Sequence, residues 1–428
     1  MGFNGCKDGP SGNGSGDGDG EGGTPTGKVL SPEETKETMK GIADNLIGKF
    51  NTEDQKAALE LMDDMIYKYE NYDFSPIGNY YENRYEDLFA GPRYMCAVLK
   101  GASPVPAMNH SYTFSFSDES VIWEADDANR TWVKKGPSPD NSLIMRAKDQ
   151  SGTMCEAKFW GEGATKTYTQ SWEEDYETHT ITAIVPETIR FSFKHGNDVL
   201  ASAKLKQDIN ENDHVTLNAE ASVCNLRWTM DMDIRLTNGS VGYAFYYGNE
   251  SLVSALINLP SYKLTAKGSN QSYEEWVEQY AENYDALIRQ IGNANAVLDI
   301  NGRVQGKVNV NNVGQSYSSI MNMMNQINPE TQEGATQYCN TINQAQSNGL
   351  YIDNAKQAEV RLIVANDGDY YYRPEPVLYF TSDKTSYSFE QYFNRPPFTE
   401  LQQSLENLVN SYIHLSTWLS SEVRDVEF

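Results

Sequence analysis

The sequence predicts an α+β fold, in which a large antiparallel β-meander sheet has amphipathic helices from both chain ends packed on one face. Between Tyr112 and Leu264 nearly every segment alternates apolar and polar residues, which places the two sets on opposite faces of a sheet. The segments on either side repeat their apolar residues with helical spacing instead. An apolar sheet face must be covered, and apolar helix stripes need a surface, so we expect the helices to cover that face.

The first helices begin at two capping boxes. Ser31 is followed by Pro32 and by Glu34 three positions on, and Thr52 is followed by Gln55. Each then carries an apolar stripe, and the short break between them predicts a tight helical hairpin. The stripes are Met39, Ile42, Ala43, Leu46, Ile47 and Phe50, then Ala58, Leu61, Met62, Met65, Ile66 and Tyr69. A further helical stretch is predicted between Pro76 and Leu99.

The strands of the central region are the most regular part of the sequence. Alternation is clearest in the ranges 215–223 and 226–236, and Asn238-Gly239 is a strong hairpin-turn signal because both residues tolerate positive φ. An internal repeat is also present: the range 196–203 returns, 52 residues later, as 248–255, each copy after an aromatic strand. We interpret the repeat as a duplicated hairpin rather than a duplicated ligand site.

The carboxyl-terminal part mixes helices and strands. A third capping box begins at Ser272, a hairpin turns at Asn301-Gly302, and the range 316–346 is predicted to be helical with a break at Pro329. Strands are predicted at 359–365 and 377–380. Thr399 begins the last helix, whose apolar residues are Leu401, Leu405, Leu408, Tyr412, Leu415 and Leu419.

These signals divide the chain into four parts. Residues 1–30 are predicted to be a disordered tether, 31–107 an N-terminal helical region and 108–268 the antiparallel sheet region. Residues 269–428 are predicted to be a mixed α/β region that completes the same globular body.

The charge of the chain excludes one large class of partner. The net charge is −26, from 34 basic and 60 acidic residues, so the protein is expected to repel the phosphates of nucleic acids. None of the five histidines has zinc-site spacing, and no nucleophile elbow, P-loop or dinucleotide fingerprint is present. The sequence therefore predicts no cofactor and no metal.

The amino terminus carries a pattern that predicts a membrane anchor. Gly5-Cys6 is followed, from residue 9 to 27, almost wholly by Gly, Ser, Asp, Pro and Thr. This stretch resembles the maturation site of a bacterial lipoprotein, in which a small residue precedes a lipid-bearing cysteine and a flexible tether follows. Position 6 is not the Ser or Thr that N-myristoylation requires. Gly-rich chain of about 22 residues reaches roughly 25 Å, long enough to hold a domain clear of a bilayer.

In general style the acidic, Tyr- and Asn-rich chain is similar to the large uncharacterised surface lipoproteins of Bacteroidetes. That resemblance implies lipid attachment at Cys6, a bacterial outer-membrane anchor, and a globular part on the cell surface or in the periplasm. It implies no catalytic residue. The other cysteines show no metal-site spacing, and disulfide bonding among them is left open: Cys96, Cys155, Cys224 and Cys339.

Two acidic motifs are weak candidates for chemistry. The range 208–213 begins like a calcium loop but lacks the glycine at its sixth position, so a polar inter-strand loop is the better interpretation. Glu173, Glu174, Asp175 and Glu177 form a cluster that glycoside hydrolysis could use only if two carboxyl groups faced each other across a sugar. A solvated loop is the preferred interpretation. His195, at a predicted turn, is likewise expected to be solvated.

Clustered tyrosines are the better candidates for binding. Tyr246 and Tyr247 crowd one hairpin, and Tyr370, Tyr371 and Tyr372 follow a strand. Tyrosine offers a flat apolar face with a hydroxyl group, which suits glycans and protein interfaces. The first hypothesis is a non-enzymatic binding or adhesion module for glycan or protein. The alternatives are a carrier of an apolar ligand in a cavity between sheet and helices, and a carboxylate-dependent hydrolase.

Overall fold

The computed structural model describes residues 27–50, 52–76, 120–174, 177–210, 214–263, 284–328, 330–366, 371–394, 398–400 and 402–403. These residues contain sixteen strands in one sheet. The strands are β1 Val121–Asp126, β2 Thr131–Pro137, β3 Ser142–Lys148, β4 Met154–Glu174, β5 Glu177–His195, β6 Asp198–Asn210, β7 His214–Val223, β8 Leu226–Arg235, β9 Gly239–Tyr247, β10 Glu250–Leu259, β11 Ala294–Ile300, β12 Val304–Val310, β13 Gln346–Ile352, β14 Ala355–Asn366, β15 Tyr372–Phe380 and β16 Ser386–Ser388.

The order of the strands in the sheet follows their order in the chain almost throughout. From β3 to β16 every strand pairs antiparallel with the next one, so the predicted α+β meander is confirmed. The exception is at one edge, where β1 lies between β2 and β3 and pairs parallel with β3. Alternation within a strand does not specify the neighbour of that strand, so the sequence could not predict the parallel pair.

Six helices lie among the described residues. They are α1 Pro32–Phe50, α2 Glu53–Tyr69, α3 Tyr284–Arg289, α4 Val313–Met324, α5 Gln332–Ala345 and α6 Phe389–Phe393. The capping box at Ser31 is confirmed, since the Glu34 N–H donates to Ser31 Oγ at 3.2 Å and the Ser31 N–H donates to Glu34 Oε2 at 2.9 Å. None of the helices in the described ranges is long and apolar enough to span a bilayer.

Helices α1 and α2 follow each other across the sheet. At the start of α1 the Pro32 carbonyl accepts a hydrogen bond from the Tyr392 hydroxyl, beside β16, and at its end Phe50 contacts Phe245 of β9. Helix α2 continues over β7 and β6 to β1, where it ends at Tyr69. The predicted tight helical hairpin is therefore wrong, because each apolar stripe packs on the sheet instead of on the other helix.

The two helices define the faces and the ends of the sheet. We call the face under α1 and α2 the apolar face and the opposite one the polar face. The helices cross the strands at the hairpin turns that include Gly196, Gly248 and Gly302, and we call this the turn end of the sheet. The main core lies here, and it contains Met39, Ile42, Leu46, Phe50, Leu226, Leu252, Val304, Ile352, Ala358, Leu378, Phe380 and Tyr392.

The internal repeat forms two equivalent hairpins. In β5–β6 the pair His195–Asp198 closes a two-residue turn, and in β9–β10 the pair Tyr247–Glu250 does the same. The first turn residue is Gly196 or Gly248, with φ of 59° and 58°, a conformation that glycine adopts without steric cost. Both copies of the repeat are therefore hairpins.

Two asparagine side chains continue the sheet where backbone pairing stops. Strands β13 and β14 pair only from Leu350 to Ile352. Beyond that point the Asn348 amide accepts from the Val360 N–H at 2.7 Å and donates to the Val360 carbonyl at 2.8 Å. Asn343 of α5 makes the same pair of bonds with Leu362, at 2.9 and 2.8 Å. Each amide thus takes the place of a peptide group, and the edge of β14 keeps its hydrogen bonds.

Candidate functional site

The polar face is a broad surface of hydroxyl, amide and charged groups. Because paired residues on neighbouring strands point to the same side, the strand register gives the rows directly. One row runs across β5 to β9 as Ser192, Ser202, Ser222, Arg227 and Tyr246. Another, near the far ends of the strands, runs across β6 to β12 as Asp208, Thr216, Asp233, Ser240, Asn258, Asn295 and Asn309.

Four aromatic rings lie among these polar groups, and each has a cation over it. All four occupy positions of the polar face in their strands, and all four are half-buried. The pairs, with the distance from the cation to the ring centroid, are Lys158 and Trp160 at 5.0 Å, Arg227 and Tyr246 at 4.1 Å, Lys307 and Tyr351 at 4.8 Å, and Arg361 and Tyr379 at 3.7 Å. A ring held between strands by a cation offers a fixed flat surface.

Neighbouring carboxylates fix three of these cations in turn. Arg361 donates to Glu359 at 2.7 and 3.0 Å, Arg227 donates to Glu220 at 3.2 Å, and Lys158 is paired with Asp140. The hydrogen bond from Lys158 is the main reason that the pKa of Asp140 lies below its ordinary value. The cations therefore hold the rings without leaving the face strongly charged.

The structure separates the two tyrosines of the β9 hairpin. Tyr246 lies on the polar face against Arg227, whereas Tyr247 lies on the apolar face and packs against the main core under α1. Adjacent residues in a strand point to opposite faces, so the two cannot act in one site. Of this pair, only Tyr246 is placed to contact a ligand on the polar face.

The second tyrosine cluster lies far from the first. Tyr371 is exposed just before β15, and Tyr372 begins that strand with its N–H donating to the Glu330 carbonyl at 3.2 Å. Both lie at the end of the strands opposite the turn end, six strands from Tyr246, or about 29 Å at the usual strand spacing. Tyr370 and Cys6 lie outside the described residues. The two predicted clusters therefore do not form one site.

Trp160, Tyr351 and Tyr379 were not predicted as site residues. The sequence does contain a signal for them: each is an aromatic residue in the polar phase of an alternating strand. In β4, for example, Trp160 falls between Lys158 and Glu162 when every second residue is read. An aromatic side chain there must lie on the polar face, next to cross-strand partners that sequence alone does not reveal.

A shallow depression of about 350 Å³ lies on the polar face near the far ends of the strands. It is lined by Glu187, Lys206, Asp208, Thr216, Asn218, Asp231, Met232, Asp233 and Ser240. Burial alone would raise the pKa of Asp233, but hydrogen bonds from Arg235 and His214 outweigh it and lower the pKa. A carboxyl that acts as a general acid needs a raised pKa instead, so Asp233 is poorly suited to the acid role in a glycosidase.

The geometry between sheet and helices is that of a packed core. Leu46, Leu226 and Leu252 are fully or almost fully buried where α1 meets the strands. A second depression, of about 370 Å³, lies near β1–β3 and is lined largely by charged residues such as Glu124, Asp126 and Lys135. Neither depression has the apolar lining that a carrier of an apolar ligand needs.

The acidic motifs of the sequence fall within strands. Asp208 belongs to β6, so the range 208–210 is strand rather than the predicted inter-strand loop; residues 211–213 lie outside the described part. Glu174 and Glu177 pair across the β4–β5 hairpin, so the expected solvated loop is instead a pair of strand ends; Asp175 lies outside the described residues. Among the described residues no group of three His, Cys, Asp or Glu side chains could hold a metal ion.

The His195 side chain is 34% exposed next to its turn, and it also pairs with a carboxylate. Its Nε2 lies 2.9 Å from Asp149 Oδ2. Burial alone would raise the pKa of Asp149, but hydrogen bonds from Ser151, His195 and Thr153 lower it to about 2. The pair ties the β3–β4 turn to the β5–β6 turn.

Three of the four cysteines with open disulfide status are described, and all three are free thiols: Cys155, Cys224 and Cys339. Burial raises the pKa of Cys155 to about 11, which keeps this thiol protonated and unreactive at neutral pH. Cys96 lies outside the described residues. Disulfides among the three described cysteines do not contribute to this fold.

Comparisons of the chain with protein-family models, with curated proteins and with solved structures found no match.

Proposed function

We propose that this protein is a membrane-tethered extracytoplasmic lipoprotein that acts as a non-enzymatic binding or adhesion module for glycan or protein. Its binding surface is the polar face of the sheet. The observation that carries the proposal is the set of four aromatic rings, each held by a cation, among rows of hydroxyl and amide groups on that face.

The chemistry of the face favours a glycan over a protein as the ligand. Sugar rings combine apolar C–H patches with many hydroxyl groups, so they need flat aromatic surfaces beside hydrogen-bonding groups. Protein interfaces instead have an apolar centre depleted of charge. On this face the four rings are separated from one another, and the surface between them carries serine, threonine, asparagine and carboxylate side chains. We therefore propose a glycan as the preferred ligand of the polar face.

The rings are also held in position before a ligand binds. Tyr351 lies over Gly349, where a Cβ atom would meet the ring at 2.9 Å, so this ring is already held flat on the sheet. Tyr379 is held by Arg361 at 3.7 Å. Because such rings are ordered before the ligand arrives, little conformational entropy is lost on binding.

An oligosaccharide array tests the surface. We expect the full chain to bind at least one neutral, amino or acidic oligosaccharide, and at least one of the variants Trp160→Ala, Tyr246→Ala and Tyr351→Ala to weaken that binding about tenfold or more, the loss typical of an aromatic anchor. Affinity is measured for the oligosaccharides that the array identifies. Binding that none of the three variants changes would rule out the polar face as the glycan site.

The matched control is Tyr67→Ala, because Tyr67 is an exposed tyrosine on α2, 62% accessible and away from the polar face. Its binding should equal that of the unchanged chain. Tyr371→Ala, at 63% exposure, tests the loop tyrosines separately. Should Tyr371→Ala be the variant that loses binding, the ligand site lies at that loop and not on the polar face.

The anchor is tested by fractionation. In the native host, expressed with its full upstream reading frame, the protein is expected in the outer-membrane fraction, with acyl chains on Cys6 by mass spectrometry. Cys6→Ser should move nearly all of the protein to the soluble fraction, because this substitution removes the acyl chains that attach it to the membrane. Cys96→Ser is the control and should stay with the membrane. An unacylated Cys6, or a Cys6→Ser protein that stays membrane-bound, contradicts the tether.

A further inference from the structure

The ring of Tyr351 differs from the other three rings of the polar face in the cation that holds it. Lys158, Arg227 and Arg361 each have a carboxylate partner. Lys307, whose Nζ lies 4.8 Å from the centroid of the Tyr351 ring, has no such partner among the described residues. This lysine is half-buried, so a positive charge without a carboxylate is held at a fixed place on the face.

Two more cations lie close to Tyr351 and share one carboxylate. A Cβ atom on Gly349 would lie 2.9 Å from the Tyr351 ring and 2.9 Å from Cε of Lys356, so the lysine stem lies beside the ring. Glu359 accepts hydrogen bonds from Lys356 at 2.9 Å and from Arg361 at 2.7 Å. The bond from Lys356 is the main reason that the pKa of Glu359 lies below its ordinary value, so this carboxylate stays ionised.

These charged side chains do not balance. We call them the cationic cluster, and its three cations and one carboxylate give a net charge of +2: Lys307, Lys356, Arg361 and Glu359. In the row of Tyr351, Asp299 lies two strands away, about 10 Å, and accepts from the Gln305 amide at 2.7 Å. At the turn end Asp353 is paired with Arg303 at 2.8 Å. In a chain with a net charge of −26, a local positive excess of this kind favours an anionic ligand.

Flat and apolar surfaces lie on both sides of the Lys307 ammonium group. The row that crosses β9 to β13 contains, in order, Gly242, Leu256, Val297, Lys307 and Gly349. On one side of the lysine are Val297 and Leu256, and Leu256 is 47% exposed although it lies on the polar face. On the other side the Tyr351 ring lies over Gly349. Both surfaces suit the C–H groups of a sugar ring.

We infer that the glycan bound by the polar face is anionic: a carboxylate or sulfate group of the sugar binds Lys307 while the sugar ring stacks on Tyr351. The inference rests on the proposed function, because it names the class of glycan for the same surface. A lysine ammonium group has three N–H donors, and hydrogen bonds from it to an anion are about twice as strong as neutral ones. A neutral glycan would leave this interaction unused.

Oligosaccharides in matched pairs test the inference. The probes are hexasaccharides of galacturonic acid, hexasaccharides that contain glucuronic acid, and sulfated hexasaccharides of galactose. Each is measured beside its carboxyl-reduced or desulfated counterpart, so that the two members differ in the anionic group. We expect the full chain to bind at least one anionic member about tenfold or more tightly than its neutral counterpart. The separate carboxylate and sulfate pairs show which anionic group the site takes.

Variants of Lys307 locate the anionic group. Lys307→Gln removes the charge and should weaken binding of the preferred anionic probe about tenfold, without changing any binding of its neutral counterpart. Lys307→Arg keeps the charge and should retain most of the affinity. Lys194→Gln is the matched control, because Lys194 is also a half-buried lysine of the polar face, on β5, seven strands from β12. It should leave the affinity for both probes unchanged.

Equal affinity for the two members of every pair would overturn the inference and leave the proposed glycan function intact. An anionic preference that survives Lys307→Gln would also overturn it. So would equal losses in Lys307→Gln and Lys194→Gln, because the overall charge of the face would then explain both. A chain that binds no oligosaccharide, charged or neutral, would instead contradict the proposed function, and the inference with it.

Discussion

Replacing Leu46 by alanine is expected to lower the free energy of unfolding by about 3–4 kcal/mol, the range for a fully buried leucine in a packed core. Leu46 has no accessible surface, and the cluster around it joins α1 to Leu226, Leu252 and Leu378 from strands far apart in the sheet. The cavity cannot close by local movement, because α1 rests on seven or more strands. Urea unfolding followed by circular dichroism measures the change.

The control for Leu46→Ala is Asp44→Ala, on the exposed side of the same helix. It should change stability by no more than about 0.5 kcal/mol. A loss below about 1 kcal/mol for Leu46→Ala would mean that α1 does not hold the strands together as described.

Replacing Asn348 by alanine is expected to cost about 2–3 kcal/mol. The substitution removes both hydrogen bonds to Val360 and leaves its N–H and carbonyl groups without their side-chain partner in a half-buried site. Amide exchange of Val360 should accelerate about tenfold or more, since its N–H donates to Asn348. Hydrogen exchange read by NMR or mass spectrometry reports this bond directly.

Asn309 supplies the comparison for Asn348, since it is an exposed asparagine on the neighbouring strand β12. Asn309→Ala should leave both stability and the exchange of Val360 close to their original values. If Asn348→Ala behaves the same way, the amide is not replacing a peptide group in the ladder of β14.

Much of the architecture follows from short-range patterns. The predicted alternation closely matches β7 and β8. A sheet with one covered face and one solvent-exposed face imposes a period of two residues on the pattern of apolar side chains. The hairpin at Asn301-Gly302 was also predicted, and both residues have positive φ, 57° and 68°. Patterns of this kind depend on one strand or one turn at a time.

The side-chain contacts that the sequence did not reveal depend on the register at which neighbouring strands pair. The placement of Tyr246 beside Arg227 requires β8 and β9 to pair at one register, and the contact between Arg361 and Tyr379 requires the same of β14 and β15. Clusters of consecutive tyrosines were therefore the wrong feature for finding a shared surface. Tyr247 is next to Tyr246 in the chain, and the alternation of side chains puts it on the opposite face.

The hydrogen bond between Pro32 and Tyr392 has a consequence for synthesis of the chain. Sheet pairing needs only neighbouring segments, so hairpins can form as they leave the ribosome, with little loop-closure cost. The docking of α1 joins residues 360 positions apart and must wait for the last strands. Until translation is nearly complete, only the carboxyl-terminal part of α1 has strands to pack on, and a nascent chain stalled before β13 would leave the rest of its apolar side exposed and prone to aggregate.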